Sequence, residues 1–242
     1  MASVLITPRY SEALQWATDL HRDQLREGKN VPYLSHVIAV SSLVWEDGGN
    51  EDQAIAGLLH DAIEDAGQSH TSIAHRFGAA VADIVQDCTD PGKQEADGKP
   101  DAWFRWKRLY LESLARKPDA SLLVTAADKA HNAWDRLLDS HRDPTCWQRA
   151  RAGLEVSAWY FQRLEHELKR RLPGSRSVER LGQAAEGILA LPEFLRLLPP
   201  GADPMEWALG YEQRFDGLVG PAPPQRRDAE GGTATASTAS SG

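Results

Sequence analysis

Four polar side chains interrupt an apolar helical pattern in residues 54–65, which read AIAGLLHDAIED. They form two adjacent pairs, His60 with Asp61 and Glu64 with Asp65, spaced by one helical turn. A continuous helix would stack His60 over Glu64 and Asp61 over Asp65. Carboxylates four residues apart repel each other, and a buried carboxylate is unfavourable unless it is paired or binds a cation. A divalent metal ion removes this conflict, so the pattern predicts a metal site.

We interpret the first pair as metal ligands and the second pair as groups that act on a metal-activated water molecule. His60 and Asp61 would bind the ion, while Glu64 and Asp65 would position or deprotonate the water. The alternative is a solvent-exposed acidic helix face, since such faces are common and the dipeptide His-Asp often occurs by chance. Two ligands cannot complete a metal site, so the interpretation requires further ligands elsewhere in the chain.

Two further residues have the types and positions that such a site needs. His36 lies near the start of the preceding predicted helix, and Asp128 lies among alanines in the middle of a later one. An aspartate on an apolar face needs a partner, and the alternative to a metal is an ion pair with Lys129 or Arg136. The order His, His-Asp, Asp favours the metal. This mixture of nitrogen and oxygen ligands suits manganese, iron, cobalt or zinc better than calcium or magnesium.

The composition is that of a globular protein with an excess of acidic residues. The 242 residues carry a formal net charge of −8, and 41% are hydrophobic. A general nucleic-acid binder would show a basic stripe, so we expect no nucleic-acid partner. The N-terminus does not resemble a secretory signal, and no apolar run approaches the ~20 residues of a membrane span. Cys88 and Cys146 form no ligand pair by spacing. We therefore expect a cytoplasmic protein without a membrane partner, and the oligomeric state stays open.

The periodicity of the apolar residues predicts an all-α protein. Ser35 is the expected N-cap of the second helix, and residues 89–101 form a polar loop long enough to suggest a function. The predicted helices are 8–26, 33–45, 54–65, 69–77, 80–88, 103–115, 120–138, 146–172 and 205–218, with one or two more in 178–198. We expect a domain over residues 1–172, a looser helical extension over 173–220, and a disordered tail over 221–242.

Four ordered motifs extend the pattern beyond the individual ligands. They are H-R-D-Q-L-R-E-G-K-N-V-P-Y-L-S-H, L-L-H-D-A-I-E-D, F-G-A-A-V-A-D-I-V-Q-D-C-T-D and A-A-D-K-A-H-N-A. Together they resemble the motifs of the HD-domain metal phosphohydrolases. More narrowly, they resemble those of the small alarmone hydrolases and of the hydrolase domains of RelA/SpoT-type stringent-response enzymes. The resemblance covers roughly residues 8–170 and implies an HD-domain helical bundle.

The resemblance also implies an activity and a role for each matching residue. Such hydrolases remove pyrophosphate from the ribose 3′ position of guanosine tetra- or pentaphosphate, and their usual metal is manganese. The implied metal ligands are His36, His60, Asp61 and Asp128, and the implied water-activating pair is Glu64 and Asp65. The implied substrate-binding residues are Arg26, Lys29, Tyr33, Lys129 and Asn132.

Several departures from the family pattern leave the substrate open. Val37 follows the first histidine where the family often has proline, and Thr125 stands where a basic residue is usual. Residues from about 175 to 220 lie outside the resemblance. One alternative is a hydrolase for another phosphorylated nucleotide, such as a nucleoside monophosphate or NADPH. Another is a nucleotide-binding regulatory module without turnover, although such a module would not need Glu64 and Asp65.

Overall fold

A computed structural model describes residues 6–90, 100–150 and 152–219 of the chain. Within these ranges the chain forms helices joined by short loops and contains no sheet, so the all-α prediction is confirmed. One isolated antiparallel bridge pairs Leu25 with Pro32 in the loop after the first helix. The expected disordered tail and most of the loop predicted over residues 89–101 lie outside the described residues.

The helices follow one another along the whole described chain. In order they are α1 (Pro8–Leu20), α2 (Leu34–Glu46), α3 (Glu51–Leu59), α4 (Ala62–Ala66), α5 (His70–Phe77), α6 (Ala79–Cys88), α7 (Pro100–Leu114), α8 (Asp119–Arg142), α9 (Cys146–Arg149), α10 (Leu154–Arg171), α11 (Arg176–Leu189), α12 (Pro192–Leu195), α13 (Pro204–Leu209) and α14 (Tyr211–Val219).

The first hydrophobic core lies between α1 to α6 and one face of α8. Its centre is α3, in which every residue from Ala54 to Leu59 is buried. Gly57 lets α3 approach α2 closely, because a Cβ atom there would lie only 3.0 Å from the Cα atom of Ser41. Ser41 also donates a hydrogen bond to the carbonyl oxygen of Ala54. These contacts fix the helix that precedes the His60–Asp61 pair.

The second hydrophobic core is built by α7 to α14. Helix α8 belongs to both cores, because Val124 and Ala127 pack into the first while Ala126 and Ala130 pack into the second. Small side chains on both faces allow neighbouring helices to pack close to this long helix. Asp128 therefore lies on a helix that is held from two sides.

The helices after residue 172 pack firmly on the rest of the chain. Helix α11 lies against α8 and α10 and buries Val178, Leu181 and Ile188. Its N-terminus is bound by Asp47, whose carboxylate accepts hydrogen bonds from the Ser175 hydroxyl at 2.8 Å and the Ser177 backbone N–H at 3.0 Å. The expectation of a looser extension is wrong in this respect, because a continuous apolar stripe on α11 completes the second core. The domain boundary itself stays a prediction.

Several helix boundaries differ from those predicted; for example, α8 continues to Arg142, and the predicted helix 205–218 is divided into α13 and α14. Helix α1 ends at Leu20 instead of residue 26, because the following loop makes its own backbone hydrogen bonds, including Arg26 N–H to Val31 O at 2.9 Å. Ser35 is not an N-cap, since α2 begins one residue earlier. The predicted helix 146–172 is divided into α9 and α10, where Gly153 adopts an extended conformation.

Candidate active site

The helix that carries the His-Asp pair is interrupted at that pair. Helix α3 ends before His60 and α4 begins after Asp61, so the predicted continuous helix 54–65 is wrong. Asp61 leaves the helical conformation with φ −100° and ψ 4°. Adjacent residues of a helix point about 100° apart, but this break brings His60 Nε2 and Asp61 Oδ2 to 2.8 Å. The interruption therefore lets both side chains reach the same point.

The four predicted metal ligands converge on that point from three helical segments. The possible ligand atoms of His36, His60 and Asp128 all lie within 4.8 Å of one another. His36 Nε2 is 3.2 Å from Asp128 Oδ1, and His60 Nε2 is 3.6 Å from the same oxygen. Asp61 Oδ2 lies 3.9 Å from His36 Nε2. The structure thus brings the predicted set together, although its ligation stays a prediction.

The two imidazoles have the unsatisfied atoms that a metal would bind. His36 Nε2 and His60 Nε2 are buried and form no well-directed hydrogen bond among the described residues, although Asp128 Oδ1 lies 3.2 Å from the first and Asp61 Oδ2 lies 2.8 Å from the second. His60 Nδ1 lies 2.9 Å from the Gly57 carbonyl oxygen, to which only a protonated nitrogen can donate. In the neutral ring this leaves a lone pair on Nε2. Buried unpaired polar atoms are unfavourable, so these residues fit a divalent cation.

The negative charges of the cluster also favour the binding of a cation. Burial lowers the pKa of His60, but the carboxylates of Asp61 and Asp128 outweigh it and raise that pKa well above its usual range. Burial opposes ionisation of Asp128, yet the Lys129 ammonium and the two imidazoles hold its pKa well below the usual range. Burial also opposes ionisation of Asp61, but the neighbouring His60 outweighs it and lowers that pKa, so both carboxylates stay charged. A metal would replace the proton on His60, because a ligating imidazole must be neutral.

His131 supports the cluster and was missed by the sequence reasoning. Its Nδ1 atom lies 2.9 Å from His36 Nδ1. A signal was present, because His131 is three residues after Asp128 and therefore lies on a similar face of α8. Tyr33 is a second supporting residue, since its hydroxyl donates a short hydrogen bond to Asp61.

A cavity of about 690 Å³ opens beside this cluster. Glu64 and Asp65 line it, as do four of the five predicted substrate-binding residues: Arg26, Lys29, Tyr33 and Asn132. Lys129 lines an adjoining cavity of about 200 Å³ instead. It also lies 2.6 Å from Asp128 Oδ2, so it neutralises a predicted ligand as well as facing the cavity.

Two of the basic residues that line the large cavity, Arg26 and Lys29, are already paired with carboxylates. Arg26 lies 2.8 Å from Asp135, and Lys29 lies 2.6 Å from Asp135 and 2.7 Å from Asp139. Arg26 also donates to the amide oxygen of Asn132 at 3.0 Å. The carboxylates come from α8 and were not included in the sequence prediction. They reduce the net positive charge that Arg26 and Lys29 offer to a substrate.

Glu64 is held by a group that sequence reasoning also missed. Its carboxylate accepts the backbone N–H of Asp90, whose own carboxylate accepts the indole N–H of Trp106. Lys107 Nζ lies 3.6 Å from the Asp90 carboxylate and 3.4 Å from the centre of a Trp106 ring. Burial, together with the neighbouring Lys129 ammonium, lowers the pKa of Lys107 to about 7.

Asp65 is held from the other side of the cavity. The Gln24 amide donates to Asp65 Oδ2 at 3.1 Å, and the Gln24 oxygen lies 2.6 Å from His21 Nδ1. Each predicted water-activating carboxylate thus has a defined N–H donor.

None of the helices in the described part of the chain is long and apolar enough to cross a membrane.

Comparison with known proteins agrees with this geometry. The family described as HD domain matches residues 13–156. A guanosine-3′,5′-bis(diphosphate) 3′-pyrophosphohydrolase of Drosophila melanogaster is 32% identical over 146 residues, which are 59% of this chain and 76% of that protein. The enzyme of the same name from Homo sapiens is 32% identical over 127 residues, which are 51% of this chain and 67% of that protein.

A solved structure shares the same arrangement of helices. It is described as a metazoan ortholog of SpoT that hydrolyses ppGpp and plays a role in starvation responses. It is 28% identical and superposes with a TM-score of 0.58, covering 76% of this chain and 97% of its own.

Proposed function

Because this chain belongs to the HD-domain family of phosphohydrolases, we propose that it removes pyrophosphate from the ribose 3′ position of guanosine tetra- or pentaphosphate. The observation that carries the proposal is the convergence of two buried imidazole nitrogens and two charged carboxylates beside a cavity lined by Glu64 and Asp65. The relatives that carry this activity by name support the choice of substrate.

His36, His60, Asp61 and Asp128 would hold the divalent ion, and manganese is the metal we propose among those that such a ligand set accepts. When bound, the ion would polarise a phosphoryl oxygen and lower the pKa of a coordinated water molecule. The His36–His131 and Tyr33–Asp61 contacts orient two of the ligands. Such outer contacts are important for metal affinity.

Glu64 and Asp65 would accept the proton of the attacking water. Glu64 is fixed by the backbone N–H of Asp90, and Asp65 is fixed by the amide of Gln24. A carboxylate whose direction is set in this way can act as a general base at a defined place. The pair lies on α4, directly after the proposed ligands, so both functions depend on the same break in the helix.

The cavity has the size and the polar groups that a nucleotide needs. Its volume of about 690 Å³ falls within the range of small-molecule sites. Arg26, Lys29 and Asn132 line this cavity and would contact the phosphates or the ribose, while Lys129 would contribute positive charge next to Asp128.

We also propose a cytoplasmic location and a division of the chain into residues 1–172, 173–220 and 221–242.

The test is an assay with phosphorylated nucleotides in the presence of Mn²⁺, with the products separated by chromatography. We expect release of pyrophosphate from guanosine tetraphosphate. Glu64→Gln and Asp65→Asn should keep the metal and the nucleotide affinity but lower the rate by roughly 10²–10⁴-fold. His60→Ala should lose the metal, as measured by elemental analysis.

The outcomes separate the alternatives. Cleavage of a nucleoside monophosphate or NADPH in preference to guanosine tetraphosphate would replace the proposed substrate. Tight binding of guanosine tetraphosphate without cleavage at any metal concentration would identify a regulatory module. Wild-type metal content in His60→Ala would overturn the ligand assignment.

A further inference from the structure

Arg136 on α8 lies where three cavities meet. It lines the 690 Å³ cavity beside the proposed metal ligands, the adjoining cavity of about 200 Å³, and a third of about 150 Å³. Its guanidinium is 5.8 Å from the centre of a Trp147 ring. Among the described residues its ion-pair contact is Glu27, at 3.9 Å, and the Glu27 side chain is 60% exposed.

The other described cations of the large cavity are more strongly compensated. Arg26 and Lys29 each contact carboxylates of α8 at 2.6 to 2.8 Å. Lys107 lies deep in the wall, and burial lowers its pKa to about 7, so its charge is incomplete at neutral pH. Arginine, in contrast, is always protonated. Arg136 is therefore the fixed positive charge with the weakest compensation on the described wall.

Helix α8 sets the distance between Arg136 and the proposed metal. Asp128, Asn132 and Arg136 follow one another at intervals of four residues, which makes each about one turn further along the cavity. Eight residues correspond to about 12 Å along the helix axis, with a rotation of about 80°. A substrate with one phosphate group at Asp128 would thus extend along α8 toward Arg136.

We propose that Arg136 forms a second anion subsite, which binds the 5′-diphosphate of the nucleotide while its 3′-pyrophosphate lies at the metal ligands. This inference rests on the proposed function, because it assigns the uncleaved phosphate arm of that substrate. The planar guanidinium suits phosphate, since its parallel N–H groups donate to two oxygens at once. Arg136 would then determine specificity for nucleotides that are phosphorylated at both positions.

The test compares two nucleotides that differ only at the 5′ position: guanosine tetraphosphate and guanosine 3′-diphosphate, which has a free 5′-hydroxyl. The wild type should hydrolyse the first with a kcat/KM roughly 10- to 100-fold higher, the usual worth of a charge-assisted hydrogen bond. Arg136→Gln should bring the ratio of the two kcat/KM values close to one, because it lowers kcat/KM for guanosine tetraphosphate only. Arg136→Lys keeps the positive charge but not the parallel N–H groups of the guanidinium, so its ratio should lie between those of the wild type and Arg136→Gln.

The matched control is Arg196→Gln, which removes the same charge from an exposed side chain outside the cavities described above. It should leave the ratio unchanged. Metal content and melting temperature of each variant show whether the protein is folded. If Arg136→Gln lowers kcat/KM for both nucleotides by the same factor, or for neither, the proposed subsite is wrong.

Affinity measurements separate failure of the inference from failure of the proposed function. Calorimetric binding of both nucleotides is measured with the full metal-loaded chain in a Glu64→Gln background, so that the substrate stays intact. Absence of hydrolysis by the wild type would reject the proposed function, while a 5′-dependent affinity that Arg136→Gln removes would still support the subsite. If the two nucleotides bind with equal affinity, or neither binds, the inference is overturned.

Discussion

The imidazole rings of His36 and His131 face each other with their Nδ1 atoms 2.9 Å apart. Burial, together with the neighbouring His36, lowers the pKa of His131 to about 4, and burial also lowers the pKa of His36. Each ring is therefore neutral near pH 7 and carries one N–H. Metal binding at His36 Nε2, which lies 3.2 Å from Asp128 Oδ1, requires the tautomer in which the His36 proton is on Nδ1 and is donated to His131 Nδ1. This tautomer leaves the Nε2 lone pair for a metal.

His131→Ala should weaken metal binding by roughly 10- to 100-fold, as is usual when a group that orients a metal ligand is lost. His131→Asn keeps a hydrogen-bond acceptor and should lose less. The control is His141→Ala, an exposed position on the same helix. Metal affinity is measured by competition with a chelator of known strength. Wild-type affinity in His131→Ala would contradict the proposed role.

The predicted metal ligands could be found from the sequence because each is unusual in its local context. His60 and Asp61 interrupt an apolar helix, and Asp128 lies among alanines. Such conflicts between a polar residue and an apolar face are visible without a structure. The break at His60–Asp61 was not visible, because the apolar periodicity continues through it.

The supporting residues could not be predicted for a different reason. Asp90 contacts Glu64 and Trp106 contacts Asp90 through tertiary structure, across 26 and 16 positions of the sequence. The compensation of Arg26 by Asp135 likewise joins residues more than 100 positions apart. Residue type and spacing do not encode these pairs. The resemblance to a family predicts the metal ligands but not the residues that orient them.

Trp106→Phe should lower kcat by roughly 3- to 10-fold, the worth of one hydrogen bond, while KM and metal content stay unchanged. The reason is that the indole N–H holds the Asp90 carboxylate, and the Asp90 backbone N–H holds Glu64. The substitution keeps an aromatic ring in the cavity wall. Steady-state kinetics with guanosine tetraphosphate measures the effect.

A double-mutant cycle shows whether Trp106 acts through Glu64. In a Glu64→Gln background the additional effect of Trp106→Phe should largely disappear, because the group that it positions is already inactive. Trp134→Phe is the control, since Trp134 packs against the second core and lies under Arg180. Full additivity of the two substitutions would reject the positioning role.

Asp47→Ala should lower the free energy of unfolding by about 1–2 kcal/mol, an effect of the size seen when side-chain hydrogen bonds to the N-terminus of a helix are lost. Asp47 lies directly after α2 and accepts hydrogen bonds from the hydroxyl of Ser175 and from the backbone N–H groups of Arg176 and Ser177, so it joins the two cores. Chemical denaturation measures the change, and Asp23→Ala, at an exposed loop position, is the control. An unchanged midpoint would mean that residues 176–219 add no stability through this contact.

Lys107 should make stability depend on pH. Burial lowers its pKa from 10.5 in the unfolded chain to about 7 in the folded protein. The folded state therefore binds fewer protons than the unfolded state between these two values, and stability rises with pH across that window. Below about pH 7 both states are protonated, so the full penalty for the buried charge is present there. The nearby carboxylates of Asp90 and Glu64 oppose this shift without cancelling it.

Lys107→Met keeps the length of the side chain and removes its charge, so the variant should be more stable than the wild type below about pH 7. The difference should shrink steadily as the pH rises from about 7 toward about 10.5, above which the lysine is neutral in both the folded and the unfolded states. Denaturant midpoints measured at several pH values between about 6 and about 10 follow this change. Lys169→Met, at an exposed position paired with Glu165, should show a constant difference over the same range. A difference for Lys107→Met that is equally constant would mean that the ammonium stays protonated in the folded protein, held by the rings around it.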